Sequence, residues 1–248
     1  MYTHHKFDHA FEPGTPTRVS YLVCAVPRSG SSLLCELLCL TGVAGAPTEF
    51  FDAEQRRGFE RVWGSDGLDD YVRHLLRTKT SPNGVFGAKA HHPQLAETFG
   101  DRDLAAVFPD LHVVYLTRRD HLRQAISYAR AIQSGRWAST HRGRGRERFR
   151  RRQIDDLLAR IDREERAWER WFERHRLQPL RLDYESIVTD PAAAVAAVLE
   201  LVGVLDGTPD PAAATLARQA DRRTERWVRR YRRRHLDGPV TPEGVVGG

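Results

Sequence analysis

The stretch Arg28-Ser29-Gly30-Ser31-Ser32 is where residue types and spacing in this chain could do chemistry. One arginine, one glycine and three hydroxyls in a row let backbone N–H groups converge on a bound group. A helix starting there adds its dipole and its unsatisfied amides, which favour an anion. The ligand such a loop suits is a phosphate or a sulfate. Downstream, Glu49 stands between Pro47 and the pair Phe50-Phe51. Aromatic rings that shield a carboxylate raise its pKa and suit it to general-base work. Arg118 leaves an apolar run, and Ser127 follows about two and a half helical turns later, so guanidinium and hydroxyl can meet on one group if the helix folds back over a sheet. Lys89, His91 and His92 close another apolar run. The two histidines read first as solvated loop residues, with a base as the second reading.

These residues need elements to hold them. Tyr21 to Val26 reads as a strand buried on both faces of a parallel sheet, ended by Pro27. Leu33, Leu34, Leu37, Leu38 and Leu40 then recur at helical spacing, with Thr41-Gly42 as a stop. Val85 to Ala90, Leu111 to Leu116 and Leu180 to Tyr184 read as further strands. Helices are expected over Leu68 to Arg77, after Asp120, from Ile154 to Phe172, and from Ala192 to Val202 behind Asp190-Pro191. Ligands in such sheets bind outside the carboxyl ends of the strands, at a topological switch point. Arg28, Lys89, His91 and Arg118 all fall at strand ends.

The fold class is therefore α/β, with a three-layer parallel sheet of about four or five strands. Its expected organisation is a polar arm over 1–18, a single domain over 19–236 and a disordered tail over 237–248. The chain carries 39 Lys plus Arg against 33 Asp plus Glu, a net charge of +6, which suits a polyanionic ligand. The run 138–152 is the most basic stretch, read as a solvated loop or a lid over such a ligand. Its one interleaved aromatic, Phe149, is poor support for nucleic-acid binding. Three cysteines, Cys24, Cys35 and Cys39, are too few and too close in one strand and helix for a disulfide framework, which suits a reducing cytoplasm. No metal-ligand spacing involves them, and no run of apolar residues is long enough to span a membrane.

The same stretches carry a resemblance. Val26-Pro27-Arg28-Ser29-Gly30-Ser31-Ser32, followed by Leu33-Leu34, then Thr41-Gly42-Val43-Ala44-Gly45, then Pro47-Thr48-Glu49-Phe50-Phe51, resembles the bacterial trehalose 2-sulfotransferase-like family of carbohydrate sulfotransferases. The segment Arg218-Gln219-Ala220-Asp221-Arg222-Arg223 resembles that family's C-terminal motif. The resemblance implies a P-loop-like sulfotransferase fold and 3'-phosphoadenosine 5'-phosphosulfate (PAPS) as donor, with no metal. It implies that Arg28, Ser29, Gly30, Ser31 and Ser32 hold the 5'-phosphosulfate, with Arg28 also opposing charge on the leaving oxygen. Arg118 and Ser127 would hold the 3'-phosphate, with Arg223 a further cofactor contact. Glu49 would be the general base, with His91 or His92 the alternative, since other sulfotransferases use a histidine. The acceptor would be a small hydroxyl compound, sugar-containing, and the assembly a homodimer, for which Trp168, Trp171 and Phe172 offer an aromatic surface. Two departures bear on the sugar. Ala46 stands where the trehalose enzymes carry an acidic residue, and the segment from Asp52 to Leu68 is shorter than theirs. Arg119 stands where the family often has Pro.

Two other classes share an anion cradle. A nucleotide kinase or NTPase needs G-x-x-x-x-G-K-[ST], which does not occur in this chain. A non-catalytic anion- or nucleic-acid-binding protein needs only the basic surface.

Overall fold

Seven consecutive buried residues form β1 (Val19–Ala25), and their side chains alternate between two separate cores. Val19, Tyr21, Val23 and Ala25 enter one, while Leu22 and Cys24 enter the other, as the period-two geometry of a strand requires. A strand apolar on both faces needs covering on both. In the computed structural model, which describes residues 11, 12, 14–137, 145–205 and 222–236, β1 lies inside a sheet with helices on either side.

The sheet has four strands in the order β2-β1-β3-β4, with β2 (Val85–Ala90), β3 (Leu111–Thr117) and β4 (Leu180–Asp183). Every pairing is parallel: Leu22 is opposite Ala88 on one side and Val113 on the other. One face is covered by α1 (Ser31–Leu40) and α9 (Pro191–Leu201), whose Leu34, Leu37, Leu38, Val195 and Val198 fill that core. The other face carries α2 (Ala53–Trp63), α3 (Gly67–Lys79), α4 (His92–Phe99), α5 (Leu104–Val107), α6 (His121–Ser134), α7 (Arg151–Arg174) and α10 (Arg222–Leu236). The short α8 (Tyr184–Thr189) follows β4 directly. The chain moves from β1 outward to β2, then returns past β1 to β3. The carboxyl ends of β1 and β3 are thus the switch point, and Arg28 and Arg118 leave the sheet there side by side.

All four expected strands are present. Tyr184, read as the end of β4, instead opens α8, because Asp183 accepts from the Ser186 amide and caps a helix. The helices α4, α5 and α8 were not legible, being too short to show an apolar period. The stretch after Asp52 is the eleven-residue α2, capped by the Asp52 carboxylate accepting from Glu54 and Gln55. Trp168 and Phe172 are buried in the chain's own core, Phe172 against Tyr115 at 5.1 Å between centroids. The aromatic surface that suggested a dimer is therefore mostly covered from within.

Of the expected arm, residues 1–10 and Pro13 lie outside the described residues, as do the tail 237–248, the basic stretch 138–144 and the segment 206–221. Phe11 and Arg18 donate backbone bonds to Thr78 and Gly84. All three cysteines are free, and burial pushes the Cys39 thiol up to about 12, in keeping with packing rather than reactivity. Among the described residues no helix is long and apolar enough to cross a membrane.

Gly87 admits the Tyr21 ring against the β2 backbone; a Cβ there would sit 2.5 Å from the Tyr21 Cζ and hydroxyl. Tyr21 cannot swing away, since its hydroxyl donates to the Ala44 carbonyl at 2.7 Å in the buried core. Gly87→Ala is expected to lower stability by about 1–3 kcal/mol in urea denaturation, the usual cost of overpacking. An unchanged midpoint would contradict this packing.

Candidate active site

The loop after β1 turns sharply, with Arg28 at φ 71° and Gly30 at φ 91°, before α1 begins at Ser31. Gly30 is required for two reasons. Its φ is left-handed, and a Cβ would lie 2.5 Å from Cδ2 of Tyr184, whose ring packs on the loop. No side chain caps α1; within its first turn the Leu33 amide donates to the Gly30 carbonyl at 2.9 Å, and helix-start amides without such a partner point out of the N-terminus. Ser29 is fully buried and its Oγ has no hydrogen-bond partner. Gln124 of α6 steadies the loop by donating to the Pro27 carbonyl at 3.0 Å.

Arg28 and Ser127 meet directly: the Arg28 Nε donates to Ser127 Oγ at 3.0 Å, and its Nη1 donates to the Trp137 carbonyl. Arg118 reaches the same residue from the other strand, its Nη1 lying 3.4 Å from the Arg28 carbonyl. Its guanidinium stacks on Tyr184 with Cζ 4.5 Å from the ring centroid, and its Nε is buried without a partner. The expected convergence of Arg118 and Ser127 is thus organised through Arg28. Arg119 points elsewhere, into ion pairs with Asp183 and Glu185. Arg223 pairs with Glu147 at 3.0 Å, a carboxylate shared with Arg130 of α6. Among the described residues no hydrogen bond or ion pair joins Arg223 to Arg28, Arg118 or Ser127.

Glu49 is held beside β2. The Thr48 carbonyl accepts the Lys89 amide at 2.9 Å, which lays the segment before Glu49 along the strand end. Lys89 is 3% exposed, and its ammonium lies 2.6 Å from Glu49 Oε1 and donates to Ser32 Oγ at 3.0 Å. Gln94 of α4 donates to Glu49 Oε2 at 3.1 Å while its own oxygen accepts the His91 amide at 2.9 Å. The aromatic shield expected from Phe50 and Phe51 is absent. Both rings are turned into the core, Phe50 near Phe59 and Phe86, Phe51 near Phe99 and Phe108. What surrounds Glu49 is a set of polar partners.

The histidines also differ from expectation. His91 is not a solvated loop residue: only 13% of its side chain is exposed, its Nδ1 meets the Ala25 carbonyl at 2.7 Å, and its Nε2 lies 3.8 Å from Glu49 Oε1. Burial lowers its pKa, opposed by the charge of Glu49. The ring is therefore neutral, with Nδ1–H donating to Ala25 and an unprotonated Nε2 on the Glu49 side. His92 turns away to meet Trp168 edge-on, centroids 5.3 Å apart.

Lys89 thus joins the cradle to a carboxylate. The loop offers amides, hydroxyls and guanidinium groups to an anion; Glu49 offers an oxygen to a proton. Sequence reasoning missed Gln94, Gln124 and Tyr184. Pro93 just after two polar residues was a helix-start signal that could have drawn attention to Gln94. No comparable signal marks the other two. Among the described residues there is no group of three or more His, Cys, Asp or Glu arranged to hold a metal.

A parallel α/β sheet with an arginine-serine loop at its switch point, and no Walker lysine, is the arrangement that the resemblance to sulfotransferases implied. Residues 20–234 match the family model of the Stf0 sulphotransferases, and the chain belongs to that family of enzymes. The kinase and binding-protein alternatives are thereby set aside. It is similar to two curated relatives, the trehalose 2-sulfotransferases of Mycolicibacterium smegmatis and Mycobacterium tuberculosis. Each is 31% identical, over 264 and 256 aligned positions respectively, covering 86% of this chain and 94% of the relative. Among solved structures, a sulfotransferase from Alicyclobacillus acidocaldarius aligns over 89% of this chain and 92% of its own, at 14% identity and a TM-score of 0.48.

The lowered His91 pKa has a consequence for stability. The unfolded chain takes up a proton at the ordinary histidine value near ~6.5, before the folded one does, so folding stability falls as pH drops below that value and is unaffected above it. The His91→Asn variant is expected to lose less of its thermal midpoint than the parent between about pH 7.5 and about pH 5.5. Identical pH slopes for the two proteins would rule this contribution out.

Proposed function

We propose that this sulfotransferase moves the sulfuryl group of PAPS to a hydroxyl of a carbohydrate or glycosylated metabolite, with Glu49 as general base. The observation that carries the reading is the Lys89 ammonium, which touches Ser32 of the cradle and Glu49 at once. A donor anion in the loop and a proton-accepting carboxylate are then neighbours, as an in-line displacement requires.

The chain's residues fit the donor. Ser29 Oγ and Arg118 Nε, buried without partners, are groups that an anion would satisfy, and the uncapped first turn of α1 supplies further N–H donors. Arg28, Ser29, Gly30, Ser31 and Ser32 would hold the 5'-phosphosulfate; Arg118 and Ser127 would hold the 3'-phosphate, with Arg223 as an outer contact. PAPS supplies an activated sulfuryl group whose leaving group is a phosphate. Arg28 would oppose the negative charge that gathers on that leaving oxygen, and Lys89, which touches both Ser32 and Glu49, would add positive charge beside the base. Glu49 takes the proton of the acceptor hydroxyl, too weak an acid to attack unaided at neutral pH. Gln94 and Lys89 fix both carboxylate oxygens, so its orientation does not have to be found during the reaction.

A sugar acceptor is supported by the two relatives, both trehalose 2-sulfotransferases. Trehalose itself is less well supported, since Ala46 and the short α2 segment depart from those enzymes where the sugar would lie. Labelled-sulfate transfer from PAPS into a panel of sugars and glycolipids, read by mass, identifies the acceptor.

Glu49→Gln keeps the size of the side chain and one acceptor oxygen for Lys89 but cannot take a proton, so turnover is expected to fall by about 100- to 10,000-fold with affinity for PAP (3'-phosphoadenosine 5'-phosphate) nearly unchanged. Near-normal turnover in Glu49→Gln together with an inactive His91→Ala would transfer the role to His91. For the donor, Arg118→Ala is expected to weaken PAP by about 1.5–3 kcal/mol more than adenosine 5'-phosphosulfate, which lacks the 3'-phosphate. Equal losses for both ligands would refute the placement of the 3'-phosphate.

A further inference from the structure

Helix α7 presents a strip of residues at one-turn spacing, Arg160, Glu164 and Trp168, that no part of the proposed mechanism uses. Trp168 anchors the strip to the active site. Its Nε1 donates to the Ala25 carbonyl at 3.2 Å, the same oxygen that His91 Nδ1 meets, and His92 abuts its ring. At the other end, the Arg160 guanidinium lies 5.3 Å from the centroid of the Tyr128 ring. Tyr128 directly follows Ser127, the hydroxyl that takes Arg28, and its ring meets Trp137 edge-on. Glu164 lies midway along the strip, one turn from Arg160 and one turn from Trp168.

Glu164 is 8% exposed. Its Oε1 accepts from Arg160 Nε at 2.6 Å, while its Oε2 is buried with no hydrogen-bond partner. A carboxylate oxygen held that way is costly until a donor reaches it. Two independent side chains sense both carboxylates. Burial lowers the His91 pKa against the opposing charges of Glu49 and Glu164, and burial raises the Tyr128 pKa with Glu164 and Glu49 adding to it. The geometry agrees: Glu164 lies one helical turn before Trp168, whose indole shares the Ala25 carbonyl with His91, and His91 lies 3.8 Å from Glu49.

We propose that Glu164 is an acceptor-binding carboxylate, its Oε2 accepting a hydrogen bond from a sugar hydroxyl adjacent to the one that is sulfated. The inference rests on the sulfotransfer reading above and extends it to recognition of the acceptor. Glu49 takes the proton of the reacting hydroxyl; Glu164 holds a second hydroxyl and so selects among sugars that differ there. A site built to bind a hydroxyl discriminates strongly against an analogue lacking it, because the buried acceptor is left unpaired. If Glu164 served only to hold Arg160, an amide would do as well.

Calorimetric titration of the PAP-loaded full chain with trehalose, maltose, glucose and mannose tests this. Glu164→Gln keeps an oxygen for Arg160 and removes the acceptor charge. It is expected to weaken the best-bound sugar by about 10- to 100-fold, with PAP affinity and thermal midpoint unchanged. One monodeoxy analogue of that sugar should bind the parent and Glu164→Gln equally, locating the hydroxyl. Sugar binding as tight in Glu164→Gln as in the parent overturns the proposal. Should the variant not fold, the parent alone decides: if no deoxygenation away from the sulfated position weakens binding more than about 3-fold, Glu164 holds no hydroxyl. A PAP-loaded parent that binds none of the sugars overturns the inference while leaving the donor site standing; failure to bind PAP in the same experiment overturns the donor reading instead.

Discussion

A buried ammonium must find its compensation inside the protein, and Lys89 finds it in Glu49 and Ser32. Removing either partner would leave a charge stranded in a medium that solvates it poorly, so the three side chains are held to one arrangement. That constraint ties three parts of the chain together: the helix that follows the loop, the segment that carries the carboxylate, and the end of β2. The carboxylate proposed as base and the loop proposed to hold the donor are thereby kept in fixed relation. Rigidity of this kind is what a displacement reaction needs, since the enzyme contributes position and charge more than covalent chemistry.

The sheet order makes the arrangement available. Because β2 and β3 lie on opposite sides of β1, the loops after β1 and β3 leave the sheet beside each other, while β2 brings Lys89 and His91 from the far side. The Ala25 carbonyl, at the very end of β1, is met by His91 and by Trp168. One buried carbonyl at a strand end thus locates α4 and α7 with respect to the cradle. The two histidines acquire opposite surroundings from this single point. His91 faces Glu49, and His92 packs on Trp168.

Charge is handled differently at the surface. Arg119, Arg223 and Arg123 engage carboxylates on neighbouring elements, Asp183, Glu147 and Glu225. Exposed pairs of this kind contribute little each, about 0.2–1 kcal/mol, but they direct those arginines away from the loop. Arg118 differs from its neighbour by one position and by burial, and it stacks on Tyr184 instead. Of the basic residues that lend this chain its positive balance, Arg28, Lys89 and Arg118 are the ones that the described fold gathers around the cradle.

Much of this was legible in the chain itself, and the reason is local. Buried strands are runs of apolar residues, a helix repeats its apolar face every turn, and an anion loop requires glycine where φ is positive; each leaves its mark on neighbouring positions, as at Val19–Ala25, Leu34–Leu38 and Gly30. Arg28 and Glu49 could be singled out for the same reason, lying in one continuous strand-loop-helix stretch. The sequence could not decide which side chains meet across the sheet. Lys89 with Ser32, Arg28 with Ser127, Gln94 with Glu49 and the strip of α7 against Tyr128 join residues far apart in the chain, and no local period records them. Phe50 and Phe51 show the limit most plainly. Adjacency to Glu49 suggested a shield, but both rings found core volume to fill, and burial of apolar area outweighed proximity. Tertiary packing alone decided that Glu49 should face an ammonium, an amide and an imidazole.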